Sequence, residues 1–169
     1  MKMKRPFEEI VVEHGPTVLR VCRALLARPD ADDAWSETFL AALRAYPDLA
    51  DSANIEAWLV TIAHHKAIDV LRAQSRRATP VAEVAETGPA TDAWEPADDG
   101  LWAALRALPT KQRQAVAYHH VAGLSYAEVA ALVGGSTDAA RRAAHDGITA
   151  LRRRYRDSQS VTLQKESRS

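Results

Sequence analysis

Apolar side chains recur every three or four positions along most of this chain, and they seldom alternate. From Pro6 to Arg28 the set Phe7, Ile10, Val11, Val18, Leu19, Cys22, Leu25 and Leu26 keeps helical spacing. Gly15-Pro16 marks a break or kink within that stretch, and Pro29 ends it. Asp30 is placed to cap the next helix, with Asp33 in its first turn; this helix runs to about Tyr46, where Pro47 stops it. The polar loop Asp48 to Asn54 leads to a third helix, about Ile55 to Arg77, with Trp58, Leu59, Ile62, Ile68 and Leu71 on one side.

Periodicity then stops. Residues 78–100 hold Pro80, Pro89 and Pro96 among unpatterned acids, the composition of a linker, with Trp94 either a chance member or a docking point. A second helical block follows. A short amphipathic helix spans Leu101 to Leu108, and Thr110 is placed to cap a helix through about Val121. Gly123 ends that helix, and Ser125 caps the next one, with Glu128 at the capping-box position. Gly134-Gly135 makes a tight turn, and Ser136 caps a last helix through about Arg156. The predicted fold is all-α: two small helical domains, 1–77 and 101–157, joined by the acidic flexible linker 78–100 and followed by a frayed polar tail, 158–169.

Charge sharpens this division. The chain is neutral overall, yet residues 78–100 carry six acids and no base, while residues 101–157 carry nine bases against four acids. A neutral whole with a basic end points to a local nucleic-acid patch. The single cysteine, Cys22, sits in an apolar helical stretch and reads as a core thiol; it allows no disulfide within one chain, which fits a reducing compartment. No apolar run approaches a membrane span, and the start MKMKRPFEEI has no apolar stretch of the kind a signal peptide needs, so a cytoplasmic protein without membrane contact is expected.

The candidate chemistry is binding. The segment GLSYAEVAALVGGSTDAARRA has the helix, glycine turn and capped second helix of a helix-turn-helix. Its second helix offers Ser136, Thr137, Asp138, Arg141, Arg142 and His145 to a major groove, and Lys111 and Arg113 suit flanking phosphates. A helical hairpin with a solvated basic face has the same pattern. Asp30, Asp32, Asp33 and Glu37 gather near the start of the second helix, where Asp33 and Glu37 share a face with no basic partner at i+4. That face suits a basic protein surface, a solvated exterior or, much less well, a metal. The third helix combines Trp58 with His64, His65, Lys66, Arg72, Arg76 and Arg77, which suits either stacking on a nucleic-acid strand or a core tryptophan with a basic rim. The pairs His64-His65 and His119-His120 lack the spacing and cysteine partners of a zinc site, and no phosphate loop or nucleophile arrangement occurs; no metal, cofactor or catalytic residue is expected.

These blocks together resemble the extracytoplasmic-function (ECF) sigma factors of bacterial RNA polymerase. Asp30-Ala31-Asp32-Asp33 with Glu37-Thr38-Phe39-Leu40 resembles the family's polymerase-docking motif. Trp58-Leu59, Ile62-Ala63, Asp69 and Leu71-Arg72 resemble its minus-10 segment. Leu108-Pro109, Gln112-Arg113, Gly123-Leu124-Ser125-Tyr126, Glu128 and Ala130 resemble its second DNA-binding region. The resemblance implies that Asp30, Asp32, Asp33, Glu37 and Phe39 dock on the clamp helices of the polymerase β′ subunit. It implies that Asp51, Ser52 and Asn54 take a flipped base of the minus-10 element, with Trp58, His64, His65, Lys66, Arg72 and Arg76 on neighbouring DNA. It implies that Lys111, Arg113, Ser125, Tyr126, Ser136, Thr137, Asp138, Arg141, Arg142 and His145 meet the minus-35 duplex. The implied partners are core RNA polymerase (β′ clamp helices and β flap), promoter DNA and an anti-sigma factor, with the linker threading toward the active-site channel. The chain departs from the family at His64-His65, where Arg-Asn is usual, and in a recognition helix carrying Ala139-Ala140, Ala143-Ala144 and Asp146-Gly147. The competing readings are a stand-alone helix-turn-helix regulator, which leaves the acidic face unexplained, and an interaction protein built on a sigma scaffold.

Overall fold

The computed structural model describes residues 3–77 and 99–166; the expected linker, with Trp94, lies outside the described residues apart from its last two positions. Among the described residues every regular element is helical.

The first bundle has three helices. Helix α1, Phe7–Leu25, runs unbroken through Pro16. Proline there removes the N–H that the Val12 carbonyl awaits, and Val12 is 79% exposed, so water can serve instead of a kink. Helix α2, Asp30–Ala45, starts without a side-chain cap, so the expected Asp30 cap is not formed. Asp30 lies inside the first turn, and its carboxylate instead accepts a hydrogen bond from Gln74 of the next helix at 2.6 Å. Pro47 sits within a 3₁₀ turn, Tyr46–Asp48. Helix α3, Ile55–Arg77, is capped by Asn54, whose Oδ1 accepts from the Ala57 N–H at 3.1 Å. Its buried residues are Leu59, Val60, Ala63, His64 and Ala67 rather than the larger set expected; Trp58, Ile62, Ile68 and Leu71 are half-buried. The small-residue side turns inward because α3 packs on α1 and α2 and is also touched by a helix of the second bundle. Cys22 is fully buried in this core, and burial, then the Asp32 charge, pushes its thiol up to about 12.

The second bundle begins with α4, Asp99–Arg106, slightly earlier than its apolar pattern indicates. Helix α5, Thr110–Ala115, follows Pro109 without a cap from the Thr110 side chain, contrary to the sequence expectation, and continues as a π-helix over Val116–Val121. There the Ala122 N–H donates to the Ala117 carbonyl, five residues back, at 3.0 Å. Helix α6, Tyr126–Val133, has both halves of the capping box: Ser125 Oγ accepts from the Glu128 N–H at 3.1 Å, and the Ser125 N–H donates to Glu128 Oε2 at 2.8 Å. Gly134 and Gly135 turn the chain with φ of 86° and 88°, a conformation open to glycine. Ser136 Oγ then accepts from the Ala139 N–H at 3.0 Å. Helix α7, Thr137–Glu166, runs well beyond Arg156, into the tail expected to fray, since neither glycine nor proline follows to stop it.

Gly147 is where α7 meets α5. A Cβ at this position would stand 2.6 Å from Val116 Cγ2 and 3.3 Å from the Gln112 carbonyl oxygen. A methyl group there would collide with the Val116 side chain and crowd the Gln112 carbonyl, and Val116, β-branched and buried, has little rotamer freedom to yield. The neighbouring Asp146 is exposed. Alanine gains about 1 kcal/mol of helix propensity over glycine, whereas overpacking a tight core costs about 1–3 kcal/mol. Gly147→Ala is therefore expected to destabilise the chain by about 1 kcal/mol in urea unfolding, and Val116→Ala in the same chain to recover part of the loss.

Candidate functional site

Three surfaces carry the residues singled out by sequence. On α2, Asp32, Asp33 and Glu37 are exposed side by side, with Leu40 and Leu43 about half exposed on the following turns. Phe39 does not belong to this face. It is 6% exposed, packed against Trp35 at 4.8 Å and Phe7 at 6.4 Å between ring centres, so the i,i+4 aromatic pair that its sequence spacing indicates serves the core. Asp30 is turned toward Gln74 of α3. The acidic face does have a basic neighbour in three dimensions, since Lys66 Nζ of α3 stands 4.0 Å from Glu37 Oε2, a loose surface pair worth little.

The second surface is the loop before α3. Asp51, Ser52 and Asn54 are exposed, although the Asn54 side chain is engaged as a helix cap. Beside them lies a cavity of about 170 Å³, lined among others by Tyr46, Leu49, Asp51 and Ile55. Lys4, which sequence reasoning passed over, closes its edge: its Nζ donates to the Pro47 carbonyl at 3.1 Å and the Leu49 carbonyl at 2.5 Å and lies over the Tyr46 ring. The only sequence signal for it was the basic start of the chain. Along α3, His65, Arg72 and Arg76 are exposed, and Trp58 and Lys66 are half-buried.

His64 departs from expectation. It is 8% exposed, and its Nδ1 shares a hydrogen bond of 2.5 Å with the Tyr118 hydroxyl of the second bundle. In this conformation it is closed to DNA. Burial, then the neighbouring His65, lowers its pKa to about 4, which keeps the ring neutral and able to share that bond.

The third surface is the start of α7. Ser136, Thr137, Asp138, Arg141, Arg142 and His145 are all exposed on its first turns, and Lys111 is exposed on α5. Arg141 donates to Asp138 at 2.9 Å and lies 5.2 Å over the Tyr126 ring. Tyr126 in turn stacks on His119, 3.8 Å between centres and 15° between planes. His119 Nδ1 is 2.7 Å from the Leu124 carbonyl, which accepts only, so that nitrogen carries the proton. No spacing rule points to His119 in this stack, because the pairing crosses from the π-helix to α6. Arg113 does not face DNA here: its guanidinium donates to the Leu108 carbonyl at 3.1 Å and, across the bundles, to the Leu25 carbonyl at 3.4 Å. Among the described residues no group of three histidine, cysteine or acidic side chains is placed to hold a metal ion.

Two family models match this architecture, Sigma-70 region 2 over residues 10–77 and Sigma-70 region 4 over residues 99–151. The ECF RNA polymerase sigma factor SigD of Mycobacterium tuberculosis is 35% identical, the alignment covering 88% of this chain and 76% of the relative. The RNA polymerase sigma factor CarQ of Myxococcus xanthus is 34% identical over 86% and 87%. The chain belongs to the ECF sigma factors. As a member it is a specificity subunit that directs RNA polymerase to promoters, and its partners are core polymerase and promoter DNA. Solved structures share its fold. The sigma factor RpoE of Bartonella quintana, in complex with the anti-sigma factor NepR, has a TM-score of 0.70 at 22% identity, covering 87% of this chain and 94% of that one. CnrH, in complex with the cytosolic domain of CnrY, has a TM-score of 0.63 at 22% identity, covering 89% and 88%.

The neutral state of His64 gives this sigma factor a pH signature. Its folded pKa lies below the unfolded value near 6.5, so its contribution to stability is present above pH 6.5 and fades as pH falls toward 4. Melting temperatures of wild type and His64→Gln, compared from pH 7 to pH 4, are expected to differ by an amount that shrinks across that window.

Proposed function

We propose that the three surfaces divide the work of initiation along the chain. Residues 1–77 dock on polymerase and hold the minus-10 element, and residues 101–157 hold the minus-35 element. The acidic face of Asp32, Asp33 and Glu37, with Leu40 and Leu43 beside it, meets the clamp helices of β′; an exposed cluster of one sign suits a basic counterpart and speeds encounter. The loop of Asp51 and Ser52 with its adjoining cavity receives a base flipped from the minus-10 element, and Trp58, His65, Lys66, Arg72 and Arg76 line the path of the strand. The second bundle rests on the β flap and presents α7 to the minus-35 major groove. The protein supplies specificity without a catalytic site of its own, acts in the cytoplasm where polymerase works, and is open to capture by an anti-sigma factor.

The observation that carries this reading is the exposure of Asp138, Arg141, Arg142 and His145 together on the first turns of a serine-capped helix. Helix N–H groups and dipole favour phosphate there, and the side chains span about two turns, the depth at which a recognition helix reads bases. Asp146 and Gly147 lie beyond that reach. Arg141, held by Asp138 and Tyr126, is suited to a guanine edge, and Arg142 to a phosphate.

Two measurements test the assignment. In size-exclusion binding to core polymerase, the double substitution Asp33→Arg, Glu37→Arg is expected to abolish a complex that wild type forms; a complex that survives would show docking elsewhere. With holoenzyme on a promoter mapped from its start site, Arg142→Ala is expected to weaken binding alike for all sequences and to reduce the salt slope by about one. Arg141→Ala is expected to relax preference at one base by about 1–3 kcal/mol. Unchanged affinity and salt slope in both would remove α7 from the groove.

A further inference from the structure

An exposed arginine samples many rotamers, and fixing one of them on a base costs conformational entropy. Arg141 is exposed at the start of α7, yet its side chain is held before any base arrives. Its Nη1 donates to Asp138 Oδ1 at 2.9 Å, and its guanidinium carbon lies 5.2 Å from the centre of the Tyr126 ring, over its face. Asp138 takes one of the guanidinium's five N–H donors, which leaves others for the two acceptors of a guanine edge. Arg142, the next residue, has no hydrogen bond, ion pair or ring contact among the described residues. Both arginines border the same open cavity of about 430 Å³, with Asp138 and His145. One is aimed across it, and the other is free to follow a phosphate.

The tyrosine that aims it is itself fixed. Its ring lies flat on the His119 ring, 3.8 Å between centres and 15° between planes. The His119 ring cannot turn freely, because its Nδ1–H donates to the Leu124 carbonyl at 2.7 Å. That carbonyl belongs to a buried residue in a tight reversal of the chain. The Leu124 N–H donates to the Tyr118 carbonyl at 2.9 Å, the Gly123 N–H donates to the His119 carbonyl at 3.1 Å, and Gly123 has a φ of 78°. The turn after the π-helix thus folds back and sets the Leu124 carbonyl beside the His119 ring.

His119 is half-buried, and neither the metal search nor the promoter assignments from sequence give it a task. A leucine would fill a half-buried helix position as well. What His119 adds is a ring laid flat on another ring and a donor that locks its orientation. Backbone turn, His119, Tyr126 and Arg141 therefore form a continuous support that starts at a buried residue and ends at an exposed guanidinium.

We propose that His119 is a positioning residue for promoter reading: through the Tyr126 ring it holds Arg141 in the rotamer that meets one base pair of the minus-35 element. The proposal rests on the placement of α7 in the minus-35 groove. Its effect is on selectivity. Holding the guanidinium in advance lowers the entropic cost only where Arg141 finds its base, and a duplex with the wrong base pair gains nothing from it. His119 makes no phosphate contact in this role, so the salt dependence of binding does not depend on it.

Holoenzyme binding to duplexes that carry each base pair in turn at every minus-35 position tests this. Arg141→Ala locates the position that Arg141 reads, as the one where preference flattens. His119→Ala, which removes ring and donor, and His119→Gln, which keeps a donor but no ring, are each expected to lower preference at that same position about twofold to tenfold, the cost of ordering one long side chain. Preference elsewhere and the salt slope are expected to stay as in wild type. Adding His119→Ala to Arg141→Ala is expected to change nothing further, since the two act through one contact. In the free full-length chain, proton NMR is expected to show the Arg141 side chain shifted upfield by the Tyr126 ring, and to show that shift reduced in both His119 variants. Circular dichroism identifies a variant that fails to fold, and the other then decides. Unchanged preference at the Arg141 position in a folded variant, a loss spread evenly over all positions, as a merely structural role gives, or no ring shift in wild type would each overturn the proposal while leaving α7 in the groove. If Arg141→Ala alters no base preference, the reading of Arg141 in the groove falls and the proposal with it.

Discussion

A helix leaves its last carbonyls without partners, and a helix end inside a protein must find donors elsewhere. Helix α1 ends that way, beneath the second bundle, and its donors come from across the chain: Arg106 to the Arg23 carbonyl and Arg113 to the Leu25 carbonyl. The requirement organises much of the molecule. It makes α1 the member shared by both bundles and draws α4 and α5 down onto its end. With α3 it also brings Tyr118 against His64. Guanidinium groups are suited to the task because they present several donors in a fixed fork, yet one nitrogen of Arg113 remains buried and unpaired. The link between the halves is thus specific in geometry and modest in strength.

Within each half the chemistry differs. The cores are apolar and aromatic: Phe7, Trp35, Phe39 and Tyr46 interlock in the first, and Tyr118, Val116 and Val129 are buried in the second. In the first core, two polar side chains are bonded to carbonyls of the same bundle. Trp35 donates to the Gly15 carbonyl at 3.0 Å, and Thr38 donates to the Ala34 carbonyl at 2.6 Å. Two sturdy modules joined by a polar seam can move as rigid bodies, and a subunit whose two DNA elements lie far apart needs that freedom.

Local rules made much of this legible beforehand. The capping box at Ser125 and Glu128, the Gly134-Gly135 turn, the Ser136 cap and the limits of α3 depend on a few neighbouring residues, and each formed as expected. Of the expectations that failed, the Thr110 cap and the end of α7 are local, and the others depend on distant partners. Asp30 lost its role as a cap to Gln74, forty-four positions away. Phe39 shares a helix with exposed acids, but Phe7 and Trp35 claim it for the core. His64 and Arg113 read as nucleic-acid ligands by residue type, and only the packing of one bundle on the other shows them engaged elsewhere. The π-helix and the stack of His119 on Tyr126 have no short-range signature, since π segments are rare and the stack joins two separate helices.

The glycine in α7 divides that helix into a fixed portion and a free one. Gly147 is packed against the Val116 side chain and the Gln112 carbonyl, so the angle and depth at which α7 leaves the bundle are set by a close contact with α5 and the π-helix. Asp138, Arg141, Arg142 and His145, all within the two and a half turns before it, are exposed and contribute nothing to either core. The scaffold is therefore indifferent to what those positions spell. On the proposed placement of α7 in the groove, these positions can be exchanged without disturbing either core, which makes this end of the chain a natural starting point for building sigma factors that answer to promoters of one's own choosing.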